Sequence, residues 1–237
     1  MKIENCVALV TGANRGIGAR LVEELLRRGA RRVYACARNP ETLPDLGGSV
    51  VPVTLDITDS AQVQAAAALA GDVELLINNA GVLAFGNVLD TDLELVERDL
   101  AVNYVGTLKA VRGFVPVIEG NGGGAIANVL TVVALAPMPG MAAYCASKAA
   151  ADLMTRALRR EVAGRGIDVH GIYPAGVDTD MLAGVEGPKA DPAEVAQLII
   201  DGIEAGVRNI TPDQVSQQAW RTWAADPKGF ERWLANA

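Results

Sequence analysis

Tyr144 and Lys148 are the residues whose types and spacing most directly suggest chemistry, because they stand four positions apart. In a helix this spacing places the phenol and the ammonium group on one face. A neighbouring cation favours the phenolate and lowers the pKa of a tyrosine from about 10. The pair therefore predicts a tyrosine that exchanges a proton with a substrate oxygen. On its own, the same spacing also suits two residues on the solvated face of a helix.

Three glycines, Gly12, Gly16 and Gly18, lie between an apolar run at residues 6–10 and a stretch with helical periodicity. Glycine lets backbone N–H groups approach a ligand closely, and a helix N-terminus adds partial positive charge. The turn therefore predicts a binding site for the pyrophosphate of a dinucleotide, and a plain loop is the alternative.

Arg38 stands at the end of the second predicted strand, where no acidic residue is found. An acid at this point would bind the free hydroxyls of a ribose, whereas an arginine pairs with a 2′-phosphate. Arg15 in the glycine turn supplies a second cation. The two arginines favour NADP(H) over NAD(H) as the cofactor, and two solvated surface side chains are the alternative.

Apolar runs of strand length alternate along the chain with longer stretches of helical period. This alternation predicts an α/β domain over residues 1–237, with a Rossmann-like, doubly wound parallel sheet in three layers. The predicted strands are residues 6–10, 32–37, 51–55, 75–78, 125–130 and 167–172. The predicted helices are residues 18–28, 60–70, 93–119 and 142–162. Pro116 should end or bend the third helix near its last turn.

The composition limits the classes of partner. The formal net charge is -7 and no long basic stripe is present, which argues against nucleic acid. The three cysteines lack the close Cys/His spacing of a metal site, and they suit a reduced cytoplasm. No run reaches the roughly 18 apolar residues of a membrane span, so we expect no membrane association.

With the glycine turn and the Tyr/Lys pair in place, the chain resembles the short-chain dehydrogenase/reductase family from about residue 6 to residue 181. The motifs that carry the resemblance follow the family's order: the glycine turn, Asp56, residues 78–81, Asn103 and the Tyr/Lys pair. Further cofactor contacts implied by the resemblance are Asn14, Ile17, Ile57, Asn79, Ala80 and Gly81. In this family, the asparagine at the position of Asn103 holds a water that links the catalytic lysine to solvent, and the resemblance implies the same role for Asn103.

The resemblance implies that hydride passes between nicotinamide and a carbonyl carbon while Tyr144 exchanges a proton with the oxygen. Lys148 would bind the nicotinamide ribose and lower the pKa of Tyr144. Pro174, Val177 and Thr179 would hold the nicotinamide carboxamide. The family more usually has glycine at Ala175, and alanine there would disfavour a positive φ.

Thr131 stands thirteen residues before Tyr144, where the family usually has the serine that positions the substrate oxygen. Threonine keeps a hydroxyl donor but adds a methyl group and restricts χ1. An extra methyl group in a tight site costs about 1 to 3 kcal/mol if the neighbouring side chains and backbone do not move. We therefore expect a slower enzyme or a changed substrate preference, and a threonine that merely favours strand structure is the alternative.

Residues 180–191 occupy the place of the family's substrate lid and are largely apolar. We expect Leu83, Phe85, Leu135 and Met141 to extend this apolar wall. The predicted substrate is an aldehyde, a ketone or a secondary alcohol of moderate size. Two alternatives stay open: a sensor that binds NADP(H) without turnover, and a reductase of imines or double bonds.

Three further expectations concern residues outside the motifs. The resemblance implies a homodimer or homotetramer assembled through the helices at residues 93–119 and 142–162. His170 lies inside a predicted strand and is expected to be structural. The aromatic residues of the carboxyl-terminal part are expected to cover the core or a neighbouring subunit. They are Trp220, Trp223, Phe230 and Trp233.

Overall fold

A seven-stranded parallel sheet forms the centre of the computed structural model, which describes residues 1–44 and 47–235. The strands are β1 (Val7–Thr11), β2 (Arg32–Ala37), β3 (Val50–Thr54), β4 (Leu75–Asn78), β5 (Gly124–Val129), β6 (Ile167–Ile172) and β7 (Asn209–Ile210). The helices are α1 (Gly16–Arg27), α2 (Ser60–Leu69), α3 (Leu93–Leu100), α4 (Thr107–Gly120), α5 (Ala142–Glu161), α6 (Pro192–Glu204), α7 (Gln214–Ala225) and α8 (Pro227–Leu234). Each of the six predicted strands is present.

The strand order is β3-β2-β1-β4-β5-β6-β7. The chain builds outward from β1 to β3, then crosses back so that β4 pairs with the other edge of β1. Ligands of such sheets bind in the crevice beyond the carboxyl ends of the strands, at the point where the order reverses. This topology confirms the predicted doubly wound sheet.

Two apolar layers cover the faces of the sheet and explain why its strands read as continuous apolar runs. On one face, α1 and α6 pack side chains such as Leu21, Leu25 and Ile199 against the sheet. On the other face, helices α2, α4 and α5 contribute residues that include Phe114 and Leu158. The three-layer arrangement is therefore confirmed.

The helix predicted at residues 93–119 is interrupted in its middle. Between α3 and α4 the backbone forms a π-helix, Ala101–Gly106, while Pro116 lies inside α4 without ending it. The apolar pattern of residues 93–119 gave no sign of this wider turn. Such turns are frequent at functional sites, and this one carries Asn103.

The carboxyl-terminal helices α7 and α8 close a third apolar cluster beside the ends of β5 and β6. Phe230 is fully buried in this cluster, and the Trp220 ring lies 4.8 Å from that of Tyr173. The prediction that the carboxyl-terminal aromatic residues cover the core is confirmed for these two residues. His170 is buried in β6 with its Nδ1 at 2.7 Å from the carbonyl oxygen of Val207, consistent with a structural role.

Candidate active site

A cleft of about 750 Å³ lies beyond the carboxyl ends of the strands. It is lined by nearly every residue predicted to bind the cofactor or to take part in chemistry. These lining residues are Gly12, Asn14, Arg15, Gly16, Ile17, Arg38, Asp56, Ile57, Asn79, Ala80, Gly81, Thr131, Tyr144, Lys148, Pro174, Val177 and Thr179. Gly18 and Asn103 are the two predicted site residues that do not line it.

Gly18 acts on the packing of the turn. A Cβ at this position would lie 2.1 Å from the carbonyl oxygen of Gly12 and 2.5 Å from Nδ2 of Asn79. These distances are far inside normal contact, so only glycine lets α1 approach the turn so closely. Gly18 therefore sets the position of the turn, and its direct contact with the cofactor stays a prediction.

Asn79 fastens the glycine turn to the end of β4. Its Nδ2 donates to the carbonyl oxygens of Thr11 and Gly12, both at 3.0 Å. In return, Oγ1 of Thr11 accepts the backbone N–H groups of Asn79 and Ala80 at 3.0 Å each. The turn is thus held from both sides by hydrogen bonds.

The first turn of α1 faces this cleft with donors that no side chain caps. Arg15 stands at the N-cap and makes no capping hydrogen bond, while Gly16 and Ile17 of the first turn line the cleft. Gly16 has a φ of +54°, which only glycine adopts readily. Uncapped N–H groups at a helix N-terminus suit an anion such as a pyrophosphate, so these residues fit a dinucleotide.

The two arginines that favour a 2′-phosphate both reach the cleft. Arg38 is exposed at the end of β2. Nη1 of Arg15 lies 3.3 Å from Oδ2 of Asp180 in the predicted lid, and both side chains are about 70% exposed (68% and 71%). An ion pair this exposed contributes little to stability, so Arg15 can change partner at low cost.

The three residues expected to do chemistry meet at the inner part of the cleft, and each is more than nine-tenths buried. Nζ of Lys148 donates to the carbonyl oxygen of Val129 at 2.8 Å and lies 5.9 Å from the centre of the Tyr144 ring. Oγ1 of Thr131 accepts the N–H of Val133 at 3.3 Å. Because a hydroxyl can accept and donate at once, the Thr131 proton can still be given to a substrate oxygen.

Burial dominates the electrostatics of the Tyr/Lys pair. It raises the pKa of the Tyr144 phenol above its usual value, and the charges of Cys145 and Asp99 act in the same direction. It also lowers the pKa of the Lys148 ammonium to about 8, against the opposing effect of Asp99. The net pKa of Tyr144 is thus raised where the sequence predicted a lowering, because burial removes hydration from the phenolate. The stabilising effect of Lys148 on that phenolate stays a prediction.

Asn103 lies behind the cleft wall, next to Lys148. Its Oδ1 accepts the N–H of Val82 at 2.9 Å, and its Nδ2 donates to the oxygen of Val82 at 2.8 Å and to Oγ of Ser147 at 2.9 Å. A Cβ on Gly81 would lie 3.1 Å from Oδ1 of Asn103 and 3.5 Å from Nζ of Lys148. The water link assigned to Asn103 stays a prediction. Its side-chain hydrogen bonds to the backbone of Val82 are a structural role that the sequence did not indicate.

Asp99, one helical turn before Asn103, was not identified from the sequence. Its carboxylate is completely buried, with Oδ2 accepting the N–H of Ala84 at 2.9 Å and Oδ1 accepting Nη2 of Arg98 at 3.0 Å. A buried carboxylate needs such partners, and here they fix the segment after β4. The only signal in the sequence was the position of this acid four residues before Asn103. That position alone does not distinguish a buried carboxylate from an acid on the surface.

Asp213 is a second carboxylate that sequence reasoning missed. Its Oδ2 accepts the N–H of Ala175 at 3.0 Å, and its Oδ1 accepts the N–H of Ser216 at 2.7 Å as the N-cap of α7. Among the described non-glycine residues only Asn5 has a positive φ. Ala175 therefore needs no left-handed backbone, which removes the conflict expected from its replacement of glycine.

The outer part of the cleft differs from the predicted apolar wall. Leu83 and Met141 line it, but Phe85 and Leu135 do not. Phe85 is half exposed elsewhere, and Leu135 packs into the third apolar cluster. The lid region contributes residues 180–182 and 185–189, while α7 and α8 supply four side chains that were not expected here. These are Val215, Ala219, Trp233 and Leu234.

Comparison with known proteins decides the family. The family model described as short chain dehydrogenase matches residues 6–189, which is most of the chain. The chain belongs to the short chain dehydrogenase family. The glycine turn, the Tyr/Lys pair and the parallel sheet thus agree with the resemblance noted in the sequence.

Solved structures similar to this short chain dehydrogenase hold nicotinamide cofactors. A short chain dehydrogenase from Burkholderia cenocepacia in complex with NADP is 43% identical, with a TM-score of 0.95 and coverage of 99% of both chains. A 3-ketoacyl-(acyl-carrier-protein) reductase from Brucella melitensis complexed with NADH is 27% identical, with a TM-score of 0.82 and coverage of 89% of this chain and 97% of that one. The NADP(H) predicted from the sequence agrees with the first structure, and a nicotinamide cofactor in general agrees with both.

Curated relatives of this short chain dehydrogenase are oxidoreductases by name. Probable oxidoreductase EphD of Mycobacterium tuberculosis is 34% identical over 222 residues, which cover 87% of this chain but only 37% of that protein. The 2,5-dichloro-2,5-cyclohexadiene-1,4-diol dehydrogenase LinX of Sphingobium indicum is 30% identical over 190 residues, or 76% of each chain.

The described residues offer neither a membrane-spanning helix nor a metal-binding cluster. No helix within residues 1–44 and 47–235 has the length and apolar character needed to cross a bilayer. Within the same residues, no three His, Cys, Asp or Glu side chains gather as a group that could hold a metal ion.

Proposed function

We propose that this protein is an NADP(H)-dependent oxidoreductase that interconverts a carbonyl compound and a secondary alcohol, with Tyr144 as the proton donor. The observation that carries the proposal is the meeting of Tyr144, Lys148 and the Thr131 hydroxyl at the inner part of one cleft. The same cleft is lined by the glycine turn and by Arg15 and Arg38. The domain spans residues 1–237 in this proposal, with residues 180–191 as the substrate lid.

The bound nicotinamide supplies or accepts the hydride. Thr131 donates its hydroxyl proton in a hydrogen bond to the substrate oxygen and holds it beside Tyr144. Tyr144 then gives its proton to that oxygen as negative charge develops there. Because the pKa of Tyr144 is raised, the phenol is fully protonated at neutral pH, which is the form that reduction requires. Lys148, with a pKa of about 8, stays mostly protonated at neutral pH and favours the phenolate left after the transfer.

The direct test follows NADPH absorbance with a panel of aldehydes, ketones, imines and activated double bonds. We expect turnover with aldehydes or ketones. Turnover confined to imines or double bonds would assign the protein to that reaction class. Tight NADPH binding without turnover of any panel member would identify a cofactor sensor and refute the enzymatic proposal.

Arg38→Ala is expected to lower kcat/KM for NADPH about tenfold while changing kcat/KM for NADH by less than about twofold, because a charge-assisted bond to the 2′-phosphate is lost. The measurement compares both cofactors at one substrate concentration. Arg20→Ala is the matched control, since Arg20 is a surface arginine of α1 paired with Glu23 and outside the cleft. A wild-type protein that prefers NADH would overturn the assignment.

Asp99→Asn is expected to move the alkaline limb of the pH profile for carbonyl reduction to lower pH. The charge of Asp99 raises the pKa of both Tyr144 and Lys148, so its removal makes each group lose its proton at lower pH. Asparagine keeps a side-chain oxygen for the N–H of Ala84, so the local fold is preserved. The profile of kcat/KM from about pH 6 to about pH 10 measures the shift.

Asp92→Asn is the control for this prediction, because Asp92 is an exposed acid that precedes α3 and makes no capping hydrogen bond. Its profile should match that of the wild type. Equal profiles for the wild type and Asp99→Asn would show that the buried carboxylate is only structural.

The oligomeric state and the cellular location of the protein are further proposals. We propose a homodimer or homotetramer that uses the surfaces of α4 and α5, where Val105 of the preceding π-helix and Leu153 are exposed apolar residues. We place the protein in the cytoplasm, because its three cysteines are all unpaired. Light scattering during gel filtration measures the assembly, and a monomer at micromolar concentration would refute it.

A further inference from the structure

Trp233 presents half of its side chain to solvent although it lines the cleft. Its neighbours on α8 explain how it is held there. Phe230 and Leu234 are buried in the third apolar cluster, and the Trp233 ring stacks on that of Phe230 at 5.8 Å with an interplanar angle of 29°. One face of the helix therefore anchors α8, while the indole of Trp233 extends into the cleft.

The anchored helices are tied to the same elements that carry the catalytic side chains. Tyr144 belongs to the apolar cluster that buries Phe230 and Leu234. Asp213 at the start of α7 accepts the N–H of Ala175, and Trp220 of α7 packs on Tyr173 at 4.8 Å. These contacts fix the position of Trp233 relative to Tyr144, so the indole is part of the wall and not a loosely attached surface group.

The surroundings of Trp233 define the chemistry that it can bind. Val215 and Ala219 of α7 line the same cleft, and the apolar residues that the lid contributes to it include Met181, Leu182 and Val185. These side chains offer apolar contact without hydrogen-bonding groups. Covering a half-exposed indole removes apolar surface from water and is therefore favourable. The indole packs best against a flat apolar group such as an aromatic ring. The family model ends at residue 189, so α7 and α8 lie outside the matched residues.

We propose that Trp233 is a specificity-determining residue that selects carbonyl substrates carrying an aromatic ring. This inference rests on the proposed function, since Tyr144 defines where the carbonyl oxygen lies. The ring of the substrate packs on the exposed part of the indole while the carbonyl reaches the Thr131 and Tyr144 hydroxyls.

The test compares 4-phenyl-2-butanone with 2-butanone, which share the reacting methyl ketone and differ in the phenyl group. In Trp233→Ala, we expect KM for 4-phenyl-2-butanone to rise about tenfold while its kcat changes less than about twofold, and KM for 2-butanone to change less than about twofold. Trp233→Phe keeps an aromatic surface and should recover most of the loss. An equal rise of KM for both ketones, or no rise for either, would overturn the proposal.

Trp223→Ala is the matched control, because Trp223 packs on Trp220 at 5.1 Å and does not line the cleft. It loosens α7 without touching the substrate, so the ratio of the two KM values should stay at the wild-type value. A ratio that falls as far as in Trp233→Ala would show that helix packing, and not the indole surface, sets the preference.

A binding measurement distinguishes failure of this inference from failure of the proposed function. Calorimetry in the presence of NADP+, which cannot reduce a ketone, measures the Kd of 4-phenyl-2-butanone for the wild type and for Trp233→Ala without turnover. A protein that binds the ketone through Trp233 but reduces neither ketone would refute the proposed reaction and support the inference. Absence of binding by the wild type, or an equal Kd in the variant, would refute the inference.

Discussion

Tyr144→Phe is expected to reduce kcat for carbonyl reduction about 1000-fold, within the range that general acid catalysis contributes. The ring of Tyr144 is buried in the wall of the cleft, so phenylalanine keeps the packing and removes only the proton that the substrate oxygen must receive. The Kd for NADPH should therefore change less than about twofold. Single-turnover absorbance measures the chemical step, and fluorescence titration measures cofactor binding.

Tyr104→Phe provides the matched control for this prediction. Tyr104 lies on the π-helix next to Asn103 but does not line the cleft. Loss of its hydroxyl should leave kcat unchanged. If Tyr144→Phe retained wild-type kcat, the proton would have to come from another group, and the proposed role of Tyr144 would be refuted.

Gly18→Ala is expected to weaken NADPH binding at least about tenfold and to lower the melting temperature. The added Cβ meets the carbonyl oxygen of Gly12 at 2.1 Å, so either α1 or the turn must move. Overpacking of this kind typically costs about 1 to 3 kcal/mol. Because the same turn is the proposed pyrophosphate site, the displacement should appear in Kd as well as in stability.

Gly120→Ala is the control for the glycine prediction. A Cβ at Gly120, the last residue of α4, meets no atom within 4 Å, so alanine there should be neutral or slightly stabilising. A Gly18→Ala protein with a lower melting temperature but an unchanged Kd would separate the two effects. It would then exclude the glycine turn as a binding element for the cofactor.

Sequence reasoning located the strands and the inner part of the site because both depend on local patterns. Strands such as β2 and β4 are apolar runs that a buried parallel sheet requires, and their predicted bounds match the structure. Tyr144 and Lys148 share a helix, so their relation depends on spacing within one element. The π-helix escaped detection because no residue type or spacing in Ala101–Gly106 marks the wider turn.

The features that were missed depend on contacts between distant parts of the chain. Asp213 and Ala175 are 38 positions apart, and nothing near either residue indicates the hydrogen bond. Trp233 reaches the cleft only because α8 folds back onto the cluster that contains Tyr144. The pKa of Tyr144 was mispredicted for the same reason, since residue spacing shows the nearby cation but not the loss of hydration on burial.

The carboxylate of Asp213 ties the carboxyl-terminal helices to the wall of the cleft through the backbone of Ala175. The same carboxylate caps the start of α7, while apolar packing and the Arg156 guanidinium over the Trp223 ring hold the helices to the third cluster. If the proposed substrate contacts of α7 and α8 hold, helices with other side chains grafted after β7 are expected to change the substrate preference when the acid at position 213 is kept. Asp213 is then the residue to keep constant when α7 and α8 are varied to change the substrate preference.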